Sequence, residues 1–178
     1  MGRHAGLRKM ALWLALLLLI LWPISRIYGY LTQHRESANA SLLLFQVSQF
    51  QIELLNSSLA EATKAGDTKE LDALRLSAYS ANYVHERLVQ AVGDDRLTPL
   101  RSVEQLVQCV LRLQIGGSRA LKADEKEALG EASRAFKDVY EGYGKLLTSS
   151  GKLVSSQNDK VAKLDEQLAE LLKKKLLR

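Results

Sequence analysis

Residues 123–146 read ADEKEALGEASRAFKDVYEGYGKL, which is the clearest helical pattern in the chain. Asp124 and Glu125 stand at its start, where carboxylates interact favourably with the positive end of a helix dipole. Its apolar residues recur at alternating spacings of three and four, so they share one face of a helix. They are Leu129, Ala132, Phe136, Val139, Tyr143 and Leu146. The segment predicts an amphipathic helix from about Ala123, in which the glycines mark close helix approach or a bend: Gly130, Gly142 and Gly144.

Three more helices are predicted before this segment. The first covers residues 31–63, the second runs from the capping box that starts at Asp67 to Val92, and the third covers residues 99–115. Short connections between amphipathic helices favour antiparallel neighbours, and no strand pattern competes. The sequence therefore predicts an all-α fold, with an antiparallel bundle of about four helices over residues 31–150.

The first of these helices carries apolar residues on a wide surface. One row recurs at spacings of four, three and four residues and consists of Leu43, Val47, Phe50 and Leu54. A second set widens this row and consists of Ile52, Leu55 and Leu59. An apolar surface of this width predicts that the helix packs on more than one neighbour.

Residues 151–178 predict a further amphipathic helix with a basic end. Its apolar seam is nearly heptad-regular and is formed by Val154, Val161, Leu164, Leu168 and Leu171. The chain then reads KKKLLR, with cations at Lys173, Lys174, Lys175 and Arg178. Three interpretations stay open. The cations stabilise the negative end of the helix dipole, the seam binds a partner helix, or the basic end rests on an anionic membrane surface.

Residues 10–25 read MALWLALLLLILWPIS and contain no charged side chain. As a helix they extend about 24 Å, and flanking basic and aromatic residues lengthen the stretch toward the ~30 Å of a hydrocarbon core. The competing interpretation is a cleaved secretory signal, but no small-x-small cleavage site follows the apolar run. We therefore expect residues 1–30 to hold an uncleaved, single-pass anchor in the cell membrane. The positive-inside rule predicts a cytosolic N-terminus and an extracytoplasmic bundle.

The distribution of charge excludes one class of function. Lysine and arginine number 25, against 20 aspartates and glutamates. The basic excess lies at the two ends, in Arg3, Arg8, Lys9 and Arg26 and in the cations of KKKLLR. The helical body is therefore not expected to bind nucleic acid. A single cysteine, Cys109, excludes an internal disulfide and a multi-cysteine metal site.

One group of polar and aromatic residues predicts a candidate ligand pocket between the second and fourth helices. Its members are Tyr79, Asn82, Tyr83, His85, Tyr140 and Tyr143. The alternative is that the tyrosines are boundary residues of the bundle and that His85 is a packing histidine. No second histidine stands at the helical spacing that a metal site needs, so neither a metal nor another cofactor is predicted.

No nucleophile–base pair, paired carboxylates or phosphate-binding loop stands out, so an enzyme is not expected. The leading hypothesis is a membrane-anchored module for protein interaction or scaffolding, which binds a protein partner or itself through its helices. Contacts are expected at Leu164, Leu168, Leu171 and the basic residues that follow them. The alternative hypothesis is an extracytoplasmic sensory or regulatory domain that binds a small ligand between its helices.

Overall fold

The computed structural model describes residues 40–93, 95–148 and 151–176 of the chain. The chain divides into two units, Met1–Ala40 and Ser41–Arg178, and the helical bundle belongs to the second unit. The architecture below is that of the bundle.

The predicted membrane anchor at residues 10–25 lies outside the described residues. Within the ranges that the structure does describe, no helix combines the length and the apolarity that crossing a membrane requires. The anchor therefore stays a prediction from the sequence.

Five helices make up the described structure, and a short 3-10 helix, Thr68–Leu71, precedes the second of them. They are α1 at residues 40–62, α2 at Asp72–Val92, α3 at Arg101–Gln114, α4 at Ala123–Tyr143 and α5 at Ser155–Lys175. Isolated bridges join Asp67 to Ala120 and Leu147 to Leu153, but the described ranges contain no strand. The predicted all-α fold is confirmed.

The five helices surround one apolar core. α3 packs against α2 and α5, and α5 also packs against α4. α1 lies beside α4 and α2. Its Ser48 hydrogen-bonds to Tyr143 of α4, and its Glu61 lines the same groove as Ala73 of α2. The four helices predicted for the bundle are thus joined by the predicted C-terminal helix, which forms one of its walls.

The start and stop signals of α2 act largely as the sequence predicts. The Asp67 carboxylate accepts a hydrogen bond from the Lys69 amide at 2.8 Å and begins the 3-10 helix. Glu70 reaches back to the amide of Gly66 at 3.1 Å, one residue earlier than a standard capping box. Gly93 ends α2 with a φ of 108°, a conformation that glycine adopts at little steric cost.

The start of α3 differs from the prediction. The sequence predicts this helix from residue 99, yet α3 begins at Arg101, and the side chain of its N-cap residue, Leu100, makes no hydrogen bond to the first turn. The cap comes instead from Asp165 of α5, whose carboxylate accepts from the amides of Arg101 at 2.8 Å and Ser102 at 3.1 Å. These are among the amides that an α-helix leaves without an internal partner. One buried carboxylate thus connects α5 to the start of α3.

α5 is an integral part of the core rather than a separate coiled coil. Its buried row is shifted from the predicted seam and consists of Asn158, Val161, Asp165, Leu168, Leu172 and Leu176. Leu164 and Leu171 are only partly buried against the core. The shift arises because α5 fits between two neighbours, α3 and α4, instead of facing a single partner helix.

The basic end of α5 has a structural role at one of its lysines. Lys175 contacts Glu131 of α4 at 2.6 Å and Glu127 at 3.5 Å. Lys173 and Lys174 are exposed, and Arg178 lies outside the described residues. Of the three interpretations of KKKLLR, the structural one therefore accounts for Lys175, while partner and membrane contacts stay predictions.

The predicted core row of α4 is confirmed, since all six of its members are buried: Leu129, Ala132, Phe136, Val139, Tyr143 and Leu146. One of the predicted close approaches is also present. A Cβ atom on Gly142 would lie only 2.9 Å from Cγ2 of Val161 on α5. Gly142 therefore allows α4 and α5 to pack at short distance.

Replacing Gly142 by alanine is expected to destabilise the bundle by about 1–3 kcal/mol, because the stiff, branched Val161 side chain has to move. The matched control is Gly130→Ala on the same helix, where the nearest atom is the flexible Arg134 guanidinium at 3.9 Å. That substitution is expected to add up to about 1 kcal/mol of stability through helix propensity. Thermal unfolding of the full-length chain measures both, and shifts in the same direction would contradict the close approach.

Candidate functional site

Most of the exposed large apolar side chains lie on two neighbouring helices. Of nine such side chains in the described residues, seven belong to α1 and α2. They are Leu43, Val47, Phe50 and Leu54 on α1, and Leu76, Tyr79 and Tyr83 on α2. We call these seven side chains the α1–α2 face. Phe50 exposes 61% of its surface and Tyr79 exposes 64%, so aromatic rings stand in solvent.

The two rows of this face run along antiparallel helices. Glu61, near the end of α1, lines the same groove as Ala73, near the start of α2. Further along, Ser48 of α1 and His85 of α2 both hydrogen-bond to the hydroxyl of Tyr143. Residue numbers therefore rise along one helix while they fall along the other. The two contacts also fix the positions along the helix axis, here called heights, of the residues between them.

The rows also match in height. Each residue of an α-helix advances about 1.5 Å along the axis. Counted from the two contacts above, Phe50 lies at the height of Tyr83, and Leu54 lies at the height of Tyr79. These two pairs of exposed side chains therefore lie at equal heights on adjacent helices.

The exposed row of α1 is one of two apolar rows on this helix. The other row faces the core and consists of Phe45, Ile52, Leu55, Leu59 and Ala62. The sequence predicts packing on more than one neighbour, and the bundle covers only the second row. The first row, Leu43 to Leu54, is left on the opposite side of the helix and is more than two-fifths exposed at each apolar member.

Charge is scarce on the α1–α2 face and balanced around it. Residues 40–52 contain no charged side chain. Glu53 stands directly before Leu54, and three nearby ion pairs lie within the chain, at 2.9 Å for Lys64–Glu61, 3.0 Å for Arg75–Asp72 and 4.0 Å for Arg87–Glu86. The Arg87 guanidinium also lies over the Tyr83 ring, 5.1 Å from its centroid. A depletion of charge with aromatic and arginine side chains is typical of protein interfaces.

A chain of hydrogen bonds lies inside the bundle behind this face. Nε2 of His85 is 3.1 Å from the Thr98 carbonyl oxygen, which only accepts, so Nε2 carries the proton. Nδ1 then accepts from the Tyr143 hydroxyl at 2.9 Å, and Tyr143 accepts from the Ser48 hydroxyl at 2.6 Å. The Phe45 ring stacks on Tyr143 with centroids 5.7 Å apart. The chain of bonds connects α1, α4 and α2 to the loop before α3.

Burial keeps both ring groups of this network neutral. Desolvation lowers the pKa of His85 to about 4, although the bond to the Thr98 carbonyl opposes the shift. Desolvation also raises the pKa of Tyr143, partly offset by its bond with Ser48. Both side chains are almost fully enclosed. The network thus positions helices and stays uncharged near neutral pH.

The residues predicted to line a ligand pocket do not come together. His85 and Tyr143 meet in the core, and Tyr140 packs against that core from a partly buried position. α1 packs against Tyr143, whose hydroxyl bonds to Ser48 and whose ring stacks on Phe45. These contacts fill the space around Tyr143 that an open pocket would need. These three residues are packing groups here.

The other predicted pocket residues face outward. Asn82 donates a hydrogen bond to Glu86 at 2.9 Å on the surface of α2. Tyr79 and Tyr83 belong to the α1–α2 face. Leu76, which the sequence interpretation missed, lies three residues before Tyr79, and this spacing was the available sign of an outward apolar row on α2.

A groove of about 440 Å³ lies between the start of α3 and α5. The Asp165 carboxylate at its base already accepts the hydrogen bonds that cap α3. The charged and polar side chains of its wall include Arg101, Gln105, Glu166, Glu170 and Lys173. Both signs of charge line this open surface, so the groove favours no particular ligand charge.

Cys109 is buried in α3, and burial raises the pKa of its thiol to about 12, so the nucleophilic thiolate is scarce. In the part of the chain that the structure describes, no group of three or more histidine, cysteine or acidic residues is placed to hold a metal ion.

Comparisons with protein-family models, curated proteins and solved structures found no match to this chain. The function is therefore inferred from the geometry of the chain itself, and the α1–α2 face is its most distinctive surface.

Proposed function

We propose that this chain is a membrane-anchored interaction module that presents a helical bundle to a protein partner through the α1–α2 face. The observation that carries the proposal is the pair of apolar rows exposed on adjacent helices, where Phe50 matches Tyr83 in height and Leu54 matches Tyr79. The anchor in this proposal is the uncharged segment at residues 10–25, which leaves the bundle on the extracytoplasmic side. An alkaline carbonate wash that released the full-length chain from membranes would contradict the anchor.

The chemistry of the α1–α2 face favours protein over lipid as the bound surface. A helix that lies on a membrane usually presents lysine or arginine beside its apolar row, where the cations meet anionic headgroups. α1 instead contains only glutamates among its charged residues, Glu53 and Glu61. Its uncharged polar residues are glutamine, serine and asparagine, which hydrogen-bond readily at the rim of a protein interface.

The interior of the bundle supports a binding role rather than catalysis. His85 and Tyr143 are enclosed and bonded to each other, and the Cys109 thiol is enclosed in α3. A catalytic group has to reach its substrate, and these three groups are kept from solvent by packing. The exposed chemistry of α1 and α2 is apolar and aromatic, which suits recognition.

The proposal is tested by a photo-crosslinking residue, benzoylphenylalanine, placed at Leu54 of the full-length chain in intact cells. We expect adducts with protein from this position and none from the control position Ile115, a more exposed apolar residue directly after α3. Adducts with lipid alone, or equal adducts from both positions, would contradict a protein-binding face.

Substituting serine for both Phe50 and Tyr83 is expected to reduce the Leu54 adduct by about thirtyfold, since a central interface aromatic contributes roughly 2 kcal/mol or more. The free energy of unfolding is expected to change by less than about 0.5 kcal/mol, because both side chains are exposed in the bundle. Loss of the adduct together with unfolding would count against a role confined to binding.

A further inference from the structure

We propose that the occupant of the α1–α2 face is a second copy of this chain, related by a two-fold axis that runs along the helices. The proposal rests on the interaction role proposed above and names its partner. In this arrangement, α1 of one copy packs on α2 of the other. Each copy uses the same surface, as a two-fold interface requires.

The matched heights of the two rows make the face self-complementary. A two-fold axis parallel to the helices exchanges α1 with α2 and leaves heights unchanged. Phe50 then meets Tyr83 of the partner subunit, and Leu54 meets Tyr79 of the partner subunit. These four side chains, at the centre of the face, are covered in this way. An interface for an unrelated protein would not need the two rows to agree in height.

The charges around the face permit this pairing. Three pairs of charged groups at its edge already neutralise each other within one copy, as in Lys64–Glu61 and Arg75–Asp72. These pairs stay intact when two copies come together, which avoids contacts between unpaired like charges that would cost several kcal/mol. Glu53 lies about a quarter turn off the exposed row, at the rim of the contact.

The area is also sufficient. Exposed aromatic and aliphatic side chains of this kind present roughly 100 Å² each, so the seven together offer on the order of 700 Å² per copy. A standard stable interface covers about 800 Å² per partner, including its polar rim. The polar residues between the apolar ones on α1, among them Gln46 and Gln51, supply the remaining interface area. The face is thus of the size expected for a dimer.

The test uses full-length chains in native membranes, with two different epitope tags and one added cysteine in each chain. One chain carries Phe50→Cys, the other carries Tyr83→Cys, and oxidation with copper phenanthroline traps neighbouring thiols. Cys109 stays in place because it is buried. We expect a disulfide-linked product with both tags, about tenfold above the pairing of Tyr83→Cys with Ile115→Cys, where each tenfold corresponds to about 1.4 kcal/mol.

Adding Tyr79→Arg to both chains is expected to return the product to the level of the Ile115 control, which ties the contact to the face. A product no greater than that control in the unmodified pair overturns the second-copy proposal, because random collision explains it. If the Leu54 photo-crosslinker still captures a different protein in that case, the interaction role stands and only the identity of the partner is wrong. A product that survives Tyr79→Arg places the contact elsewhere and also overturns the proposal.

Discussion

Replacing Asp165 by alanine is expected to lower the free energy of unfolding by about 3 kcal/mol. The buried carboxylate of Asp165 accepts hydrogen bonds from the amides of Arg101 and Ser102 and from the Ser102 hydroxyl. Alanine leaves these three donors without their acceptor and opens a small cavity between α3 and α5. Urea unfolding of the full-length chain, followed by circular dichroism, measures the loss.

Two further variants separate capping from general loss of charge. Asp159 is an exposed acid on the same helix, so Asp159→Ala is expected to change stability by less than about 0.5 kcal/mol. Asp165→Asn keeps one acceptor oxygen and is expected to lose about half of the effect, since its amide group faces an N–H donor. If Asp165→Ala proved no more harmful than Asp159→Ala, the carboxylate would not be the cap of α3.

This cap shows what local sequence patterns do not contain. Helix starts are predicted from residues within a few positions, as with Asp67 at the start of the 3-10 helix that precedes α2. The cap of α3 stands 64 positions further along the chain than Arg101, on another helix. Asp165 also lies outside the predicted apolar seam of α5, although the structure places it on the buried row of that helix. Only the packing of α5 against α3 reveals its role.

The α4 helix shows the opposite case. Its apolar residues lie on one face and its polar residues on the rest, so only that face is able to pack against the core. α1 has apolar residues on two sides, and either row is able to face the core by pattern alone. The neighbouring helices decide which row of α1 faces the core. Phe45 stacks on Tyr143, while Phe50 has no such ring beside it within the described bundle.

The candidate site was partly readable from the sequence. His85 and Leu88 belong to the inner row of α2, and Tyr79 and Tyr83 stand on the opposite side of that helix. A helical period of 3.6 residues places them there without any coordinates. The expectation of a pocket arose from residue type rather than from helical position. The matched heights of α1 and α2 could not be foreseen, since they depend on the turn between the helices.

Acidification from about pH 7 to pH 4 is expected to remove about 3 kcal/mol of stability through His85 alone. Burial lowers the pKa of this histidine from 6.5 to about 4 in the folded bundle. Between these two values the unfolded chain binds a proton that the folded chain excludes, so falling pH favours unfolding. The contribution is fully present above about pH 6.5 and is lost as the pH approaches 4. Above neutrality, His85 adds no further dependence.

The variant His85→Gln isolates this contribution, because glutamine is able to accept from Tyr143 and donate to Thr98 but does not titrate near neutral pH. Burial raises the pKa of Asp165, although its bonds from Ser102 and Arg101 oppose the shift, so Asp165 acts in the opposite direction on acidification. Asp165 is present in both proteins and cancels in their difference. The measurement is the difference in urea midpoint between wild type and His85→Gln at several pH values. We expect this difference in midpoint to narrow, and then to change sign, as the pH falls from 6.5 toward 4. A difference independent of pH would show that His85 is not held neutral by the fold.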